Sequence, residues 1–168
     1  MEDGRGFVRR IVVGEEVVSW IAKRTNEFGN FGCATGIGLQ RAVAPHINPG
    51  FGYQWKLIAG VAYAEWNGVN FVCHIASEGQ NWLNREFLSV IFDYPFVQVG
   101  AKWLTVCVGE GNQKSRRFVE HLGFTQEANL QGRHPTGDLI IYGMQKKDCR
   151  FLREPYANLH QNRQLLAA

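Results

Sequence analysis

The run Gly109-Glu110-Gly111-Asn112-Gln113-Lys114-Ser115-Arg116-Arg117-Phe118-Val119-Glu120-His121-Leu122-Gly123-Phe124 holds both ends of a helix and the turns beside them. Asn112 suits an N-cap, because a short carboxamide accepts from amides of the first turn. Gly123 suits the left-handed position just past a helix end, where a Cβ is penalised. Ahead of this run, Lys102 to Val108 is a compact buried-strand pattern, and behind it Phe124 opens another extended stretch. Strand, helix, strand is the pattern of a chain crossing over a sheet. Asp138 to Gln145 follows as the last strand, with Ile140, Tyr142 and Met144 on one face.

Upstream, Asn81 is placed to cap a helix running to about Val99, with Leu83, Phe87, Val90, Ile91 and Tyr94 at helical spacing. Pro95 is expected to kink it or end its regular part. Lys56 to Trp66 and Val69 to Ser77 read as strands, and Asn67-Gly68 between them predicts a two-residue hairpin turn. The second arm sorts Phe71, Cys73 and Ile75 to one face and Asn70, Val72, His74 and Ala76 to the other. Arg41 to Gln54, with Pro45, Pro49, Gly50 and Gly52, predicts a long loop. Gly29, Gly32, Gly36 and Gly38 predict a loop feeding a strand around Cys33 to Leu39. Phe7 to Val13 reads as a strand ended by Gly14. Glu15 to Arg24 reads as a helix with Val17, Val18 and Ile21 inward and Trp20 at the margin.

The order β-α-loop-β-β-β-α-β-α-β-β defines an α+β (mixed α/β) domain, a mixed sheet with helices packed on it, over residues 1–153. The tail from Glu154 to Ala168 is polar and weakly patterned. Two readings stay open for it, a mobile segment or an oligomer contact such as that of a homodimer. The chain has 168 residues and a net charge of +3, too small a charge to argue for a nucleic-acid partner. Arg116-Arg117 and Lys146-Lys147 are isolated basic pairs that suit a solvated face. Cys33, Cys73, Cys107 and Cys149 form no CxxC pair and no zinc spacing, so no metal is expected. The charged start carries no apolar signal region, and no apolar run approaches the roughly 18 residues of a membrane span. The expectation is a soluble protein of the reduced cytoplasm.

Taken with Gly137-Asp138-Leu139-Ile140-Ile141-Tyr142-Gly143-Met144, the Gly109–Phe124 run resembles the second half of a GNAT acetyltransferase. There an Asn opens the last helix, a small residue such as Ser115 follows three positions on, and Leu-Gly-Phe closes it. Tyr142-Gly143-Met144, Asp148-Cys149-Arg150-Phe151-Leu152 and Tyr94-Pro95-Phe96 are similar to a branch frequent in bacteriophage genomes, which would place the chain in a host cytoplasm. The resemblance covers about residues 7 to 152. It implies a twisted sheet of six to seven strands, helices on both faces, and two central parallel strands splayed around the pantetheine arm of acetyl-CoA. It further implies that an acetyl group passes from acetyl-CoA to an amine acceptor, a small molecule or a protein, by direct transfer in a ternary complex.

On this resemblance the cofactor contacts fall on Ile75, Ala76, Ser77, Gly79, Gln80, Asn81, Trp82 and Arg85, with Asn112 and Ser115 facing the arm from the last helix. Backbone groups of the strand ending at Ser77 bond the arm as a peptide adds to a sheet edge, and the next helix N-terminus takes the diphosphate. The family's Arg/Gln-x-x-Gly-x-Gly/Ala loop is not spelled here, since Ala76 to Trp82 holds one glycine and the acidic Glu78. The Tyr that many members use to protonate the leaving thiolate aligns with Val119. Transfer to an amine also needs a base, for which His74, Glu65 and Glu110 are candidates, and an acid, for which Ser115 and Tyr142 are candidates. An imidazole titrates near about 6.5 in water, which suits a relay by His74, although a plain structural His on a strand face is the commoner reading of such a position. Tyr142 lies in an apolar strand and reads equally as core. The loops Thr25 to Gly32 and Ala42 to Trp55, with His46, Tyr53 and Trp55, are expected on the amine-entry side. A second function stays open beside transfer, a catalytically weak GNAT-fold module that docks to a partner protein.

Overall fold

The computed structural model describes residues 8–25, 31–43, 54–79, 82–157 and 159. Glu15 and Glu16 open α1 (Glu15–Thr25), and Lys23 and Arg24 close it, each charge at the end the helix dipole favours. Val17, Val18, Ile21 and Ala22 form its buried stripe. The strands are β1 (Arg9–Val13), β2 (Thr35–Val43), β3 (Gln54–Ala64), β4 (Asn70–Ser77), β5 (Trp103–Gly109), β6 (Thr125–His134) and β7 (Gly137–Gln145). They form one seven-stranded sheet in the order β1-β2-β3-β4-β5-β7-β6. Every neighbouring pair is antiparallel except β4 and β5, which are parallel. The sequence-predicted order of elements is the observed one.

Helix α1 lies on one face of the sheet, where Val17 and Ile21 pack on Leu57, Ala62 and Ala76. The opposite face carries α2 (Arg85–Asp93) and α3 (Gln113–Leu122) over the larger core. Phe71 and Cys73 join that core, and Ala76 belongs to the α1 side, as the alternation along this strand predicts. Gly36 and Gly38 lie inside β2, within the strand expected around Cys33 to Leu39. A Cβ on Gly38 would stand 2.7 Å from Leu57 Cδ2 and 2.9 Å from Val17 Cγ2. These glycines, with Gly60 beside them on β3, let α1 settle close to the sheet.

Three local expectations are corrected. The β3–β4 connection spans 65–69 rather than two residues, with Glu65 at φ 53° and Gly68 at φ 89°. Asn67 Oδ1 accepts from Val69 N at 3.0 Å and Asn70 N at 2.8 Å, so its side chain closes the turn in place of a tight ladder. The cap of α2 is Asn84, whose Oδ1 accepts from Phe87 N at 2.7 Å; Asn81, like Gln80, lies outside the described residues. Of the stretch expected as a long loop, Arg41 to Val43 belong to β2 and Gln54 to β3, and residues 44–53 lie outside the described residues. At Pro95 the regular helix has ended, and Tyr94–Gln98 forms a single wider turn that buries Pro95 and Phe96.

After β7 the chain turns back over α2. Phe151 stacks on Phe92 at 4.6 Å, Tyr156 packs edge-on against Phe151 at 5.1 Å, and Ser89 Oγ donates to Tyr156 O at 2.9 Å. The first residues of the tail are thus docked on the core. Among the described residues no helix is long and apolar enough to cross a membrane, and no cluster of His, Cys, Asp or Glu suits a metal.

Candidate active site

The parallel ladder between β4 and β5 pairs Asn70 with Trp103, Phe71 with Leu104 and Val72 with Thr105. There it stops, while β4 runs on to Ser77 and β5 to Gly109. A wedge opens between them. Glu78 N donates to Ile58 O at 2.8 Å, so Ala76 with Gly60 and His74 with Ala62 are the bonded pairs of the β3–β4 ladder. Ile75 and Ser77 occupy the alternate positions and turn their N–H and C=O groups into the wedge. The backbone of Ala76 is turned to β3 instead, and its methyl is buried under α1. On the far wall Glu110 N donates to Asp138 O at 2.9 Å, and the same alternation turns the Cys107 backbone into the wedge.

The cavity has a volume of about 820 Å³. His74 lines it from β4 and is stacked on Phe31 with ring centroids 3.9 Å apart. Asn112, Ser115, Phe118 and Val119 line it from α3. Asn112 Oδ1 accepts from Ser115 N at 3.1 Å, so it caps the helix as predicted while facing the cavity. Gly123 ends α3 at φ 104°. Ile75, Ala76, Ser77, Gly79 and Trp82, all expected as cofactor contacts, line the cavity, and Trp82 lies 5.4 Å from Phe118, ring to ring.

Glu65, Glu110, Tyr142 and Arg85 are not among the residues that line it. Glu65 is exposed beyond the closed end of the ladder, and Glu110 is exposed just past β5. Arg85 is exposed at the first position of α2. Tyr142 is fully buried, and its hydroxyl donates to Glu120 Oε1 at 2.8 Å while accepting from Arg116 Nε at 3.0 Å. That is the core reading of Tyr142, with the hydroxyl satisfied. His46 and Tyr53 lie outside the described residues, whereas Trp55 takes Arg10 over its ring at 4.3 Å.

Glu78 has two cationic partners. Lys56 Nζ lies 2.8 Å from Oε2, and the Arg24 guanidinium bonds Oε1. Hydrogen bonds from Lys56 and then Arg24 hold its carboxyl below the ordinary range. The acidic side chain of the loop that leaves β4 is therefore neutralised by α1 and β3. Arg24, Lys114, Cys107, His134 and Thr136 also line the cavity, and sequence reasoning missed all five. For the last two a signal existed. His134-Pro135-Thr136-Gly137 is a turn signature, and a hairpin there swings back over the end of β5.

A seven-stranded mixed sheet with helices on both faces and one parallel pair parting midway is the GNAT acetyltransferase fold. The chain is similar to a spermidine/spermine N-acetyltransferase from Vibrio cholerae solved with manganese ions, at TM-score 0.60 and 15% identity over 84% of this chain and 93% of that one. It is similar to a spermidine N-acetyltransferase from Vibrio cholerae in complex with CoA and spermine, at TM-score 0.59 and 14% identity over 84% and 96%. A GNAT-family acetyltransferase from Bacillus anthracis matches at TM-score 0.50 and 12% identity over 67% and 66%. At these identities the likeness is one of fold. No protein-family model and no curated protein sequence matches the chain.

Proposed function

We propose that the chain is an N-acetyltransferase that moves an acetyl group from acetyl-CoA to an amine by direct transfer. The observation that carries this reading is the early end of the β4–β5 ladder, which leaves the Ile75 and Ser77 backbone turned into a cavity of about 820 Å³, free to bond an extended, amide-bearing chain as a sheet edge does. Acetyl-CoA supplies the activated acetyl group. Ile75 and Ser77 bond the amides of its arm, while Asn112 and Ser115 face it from α3. Its phosphates lie toward Gly79, with Arg24 and Lys114 as cations lining the site. His74 takes the proton from the amine, held in orientation by its stack on Phe31. The presence of CoA and spermine in one fold neighbour supports the same pair of ligand classes, a CoA thioester and an amine.

Calorimetry with acetyl-CoA tests the reading. Micromolar binding is expected, at least about tenfold weaker in S115W, whose side chain fills the wedge. At a concentration of 100 Kd the native protein gains about 2.7 kcal/mol of stability. No thermal stabilisation under that condition refutes cofactor use. The alternative of a catalytically weak docking module is favoured by Val119, an apolar side chain with 2% exposure where a proton-donating Tyr aligns. It predicts acetyl-CoA binding with no transfer to spermidine, tryptamine or a lysine-containing peptide.

A further inference from the structure

The β6–β7 hairpin places an imidazole in the wedge that none of the roles above uses. His134 pairs with Gly137 at the tip of the hairpin, past a register shift that follows Leu130. Its ring lies against Gly109, where an added Cβ would stand 2.5 Å from Cε1, 2.7 Å from Nδ1 and 2.8 Å from Nε2. The seat exists only because β5 ends in glycine. Nδ1 accepts from Thr136 N at 3.3 Å and stands 2.9 Å from Thr136 Oγ1. With Nδ1 accepting, the proton of the neutral ring sits on Nε2. The ring borders the same cavity as Cys107, Asn112 and Ser115. A buried glycine seat and a hydrogen bond from the backbone thus fix both its position and its tautomer.

We propose that His134 is a catalytic hydrogen-bond donor, presenting Nε2–H to the thioester sulfur as that atom takes up charge. The assignment rests on the acetyl-transfer reading above. In that reaction the amine nitrogen bonds the acetyl carbon, and the C–S bond breaks with its electron pair going to sulfur. The amine's proton leaves to solvent through His74, and the sulfur regains a proton from solvent. His134 donates from Nε2 and stabilises the charge on sulfur, as a preorganised donor does. It fills the function for which Val119, apolar and buried, has no group.

The native protein, H134F, H134N and H134Q are compared with acetyl-CoA as donor and spermidine, tryptamine and a lysine-containing peptide as probe acceptors. H134F and H134N leave no donor at the Nε2 position, and each is expected to lose about a hundredfold in kcat with KM for acetyl-CoA nearly unchanged. H134Q, whose carboxamide reaches the Nε2 position, recovers part of that loss. Independently, the thiol of bound CoA is titrated by its ultraviolet thiolate absorbance, with the desulfo-CoA complex as blank. It is expected about one pH unit lower in the native protein than in H134F or H134N. This measurement on H134N keeps the proposal testable should H134F fail to fold. Native kcat and a native thiol titration in H134N overturn it. Failure of the native protein to bind CoA at all refutes the acetyl-transfer reading instead, whereas native turnover matched by H134N refutes only the role of His134.

Discussion

Glu78 shows how a side chain that looks wrong for its position is accommodated. Lys56 and Arg24 bond its carboxylate, and the pair spans β3, α1 and the loop that leaves β4. Because its folded pKa is depressed, the stabilisation is present above the unfolded carboxyl range, near about pH 4.3, and is lost as pH falls through the folded value. The side chains involved are about a third open to water, and Lys56 more, so the magnitude is that of a surface network. E78Q is expected to cost about 0.5–1 kcal/mol at pH 7, a difference from native that closes as the buffer is acidified through the depressed folded pKa of Glu78. Denaturant melts at both pH values check it. The cysteines divide as sharply. Burial pushes the Cys149 thiol up to about 11 and the Cys73 thiol further still, while Cys33 and Cys107 are exposed. A thiol reagent followed by mass spectrometry is expected to label Cys33 and Cys107 in the native protein and all four only after unfolding. Added CoA should protect Cys107, which lines the wedge, and leave Cys33 reactive.

At the scale of elements, the seating of α1 depends on what β2 and β3 omit. A Cβ on Gly60 would stand 2.9 Å from Val17 Cγ1 and 3.1 Å from Ile21 Cδ1. G60V is therefore expected to destabilise the protein by about 2–3 kcal/mol, and V17A in the same chain to recover part of that. Additive losses in the double variant would refute close packing as the cause. The same glycines show where the sequence is ambiguous. Gly36 and Gly38 share a short window with Gly29 and Gly32, and a glycine chosen for close approach reads like one chosen for a turn. Helix α3 was legible because Asn112 and Gly123 each carry a cap signal, one at either end of a clear helical run. Helix α2 had two asparagines at its start, Asn81 and Asn84, and nothing local separates them. The hairpin fell to a similar limit, since Asn67-Gly68 marks a turn without stating its length, and Glu65 at φ 53° widens it. Tyr142, Glu65 and His134 illustrate the site. Residue type nominates a proton-handling group, but the tertiary fold decides which reaches the wedge: Glu65 lies past the end of β3, Tyr142 is buried in the core, and His134 is brought against Gly109 by the β6–β7 hairpin.

For the molecule as a whole, the sheet gives up cross-strand bonding at its centre. Beyond Val72 and Thr105 the two parallel strands are each held from the outside only, β4 by β3 and β5 by β7. The loss is tolerable because α1 covers one face of β4, and α2 and α3 cover the other face of the sheet, so the strands cannot close together without repacking both layers. This arrangement makes a prediction along β4 that is independent of any acceptor. The amides of His74, Ala76 and Glu78 bond β3, so native-state hydrogen exchange there is expected to be slow, limited by larger openings of the sheet. The amides of Ile75 and Ser77 face the wedge and should exchange much faster, giving protection that alternates with a period of two. Addition of acetyl-CoA is expected to slow Ile75 and Ser77 selectively and flatten the alternation. Uniform protection from His74 to Glu78 in the unliganded protein would mean that the two strands are zipped together in solution, and the wedge would cease to be a site for any thioester.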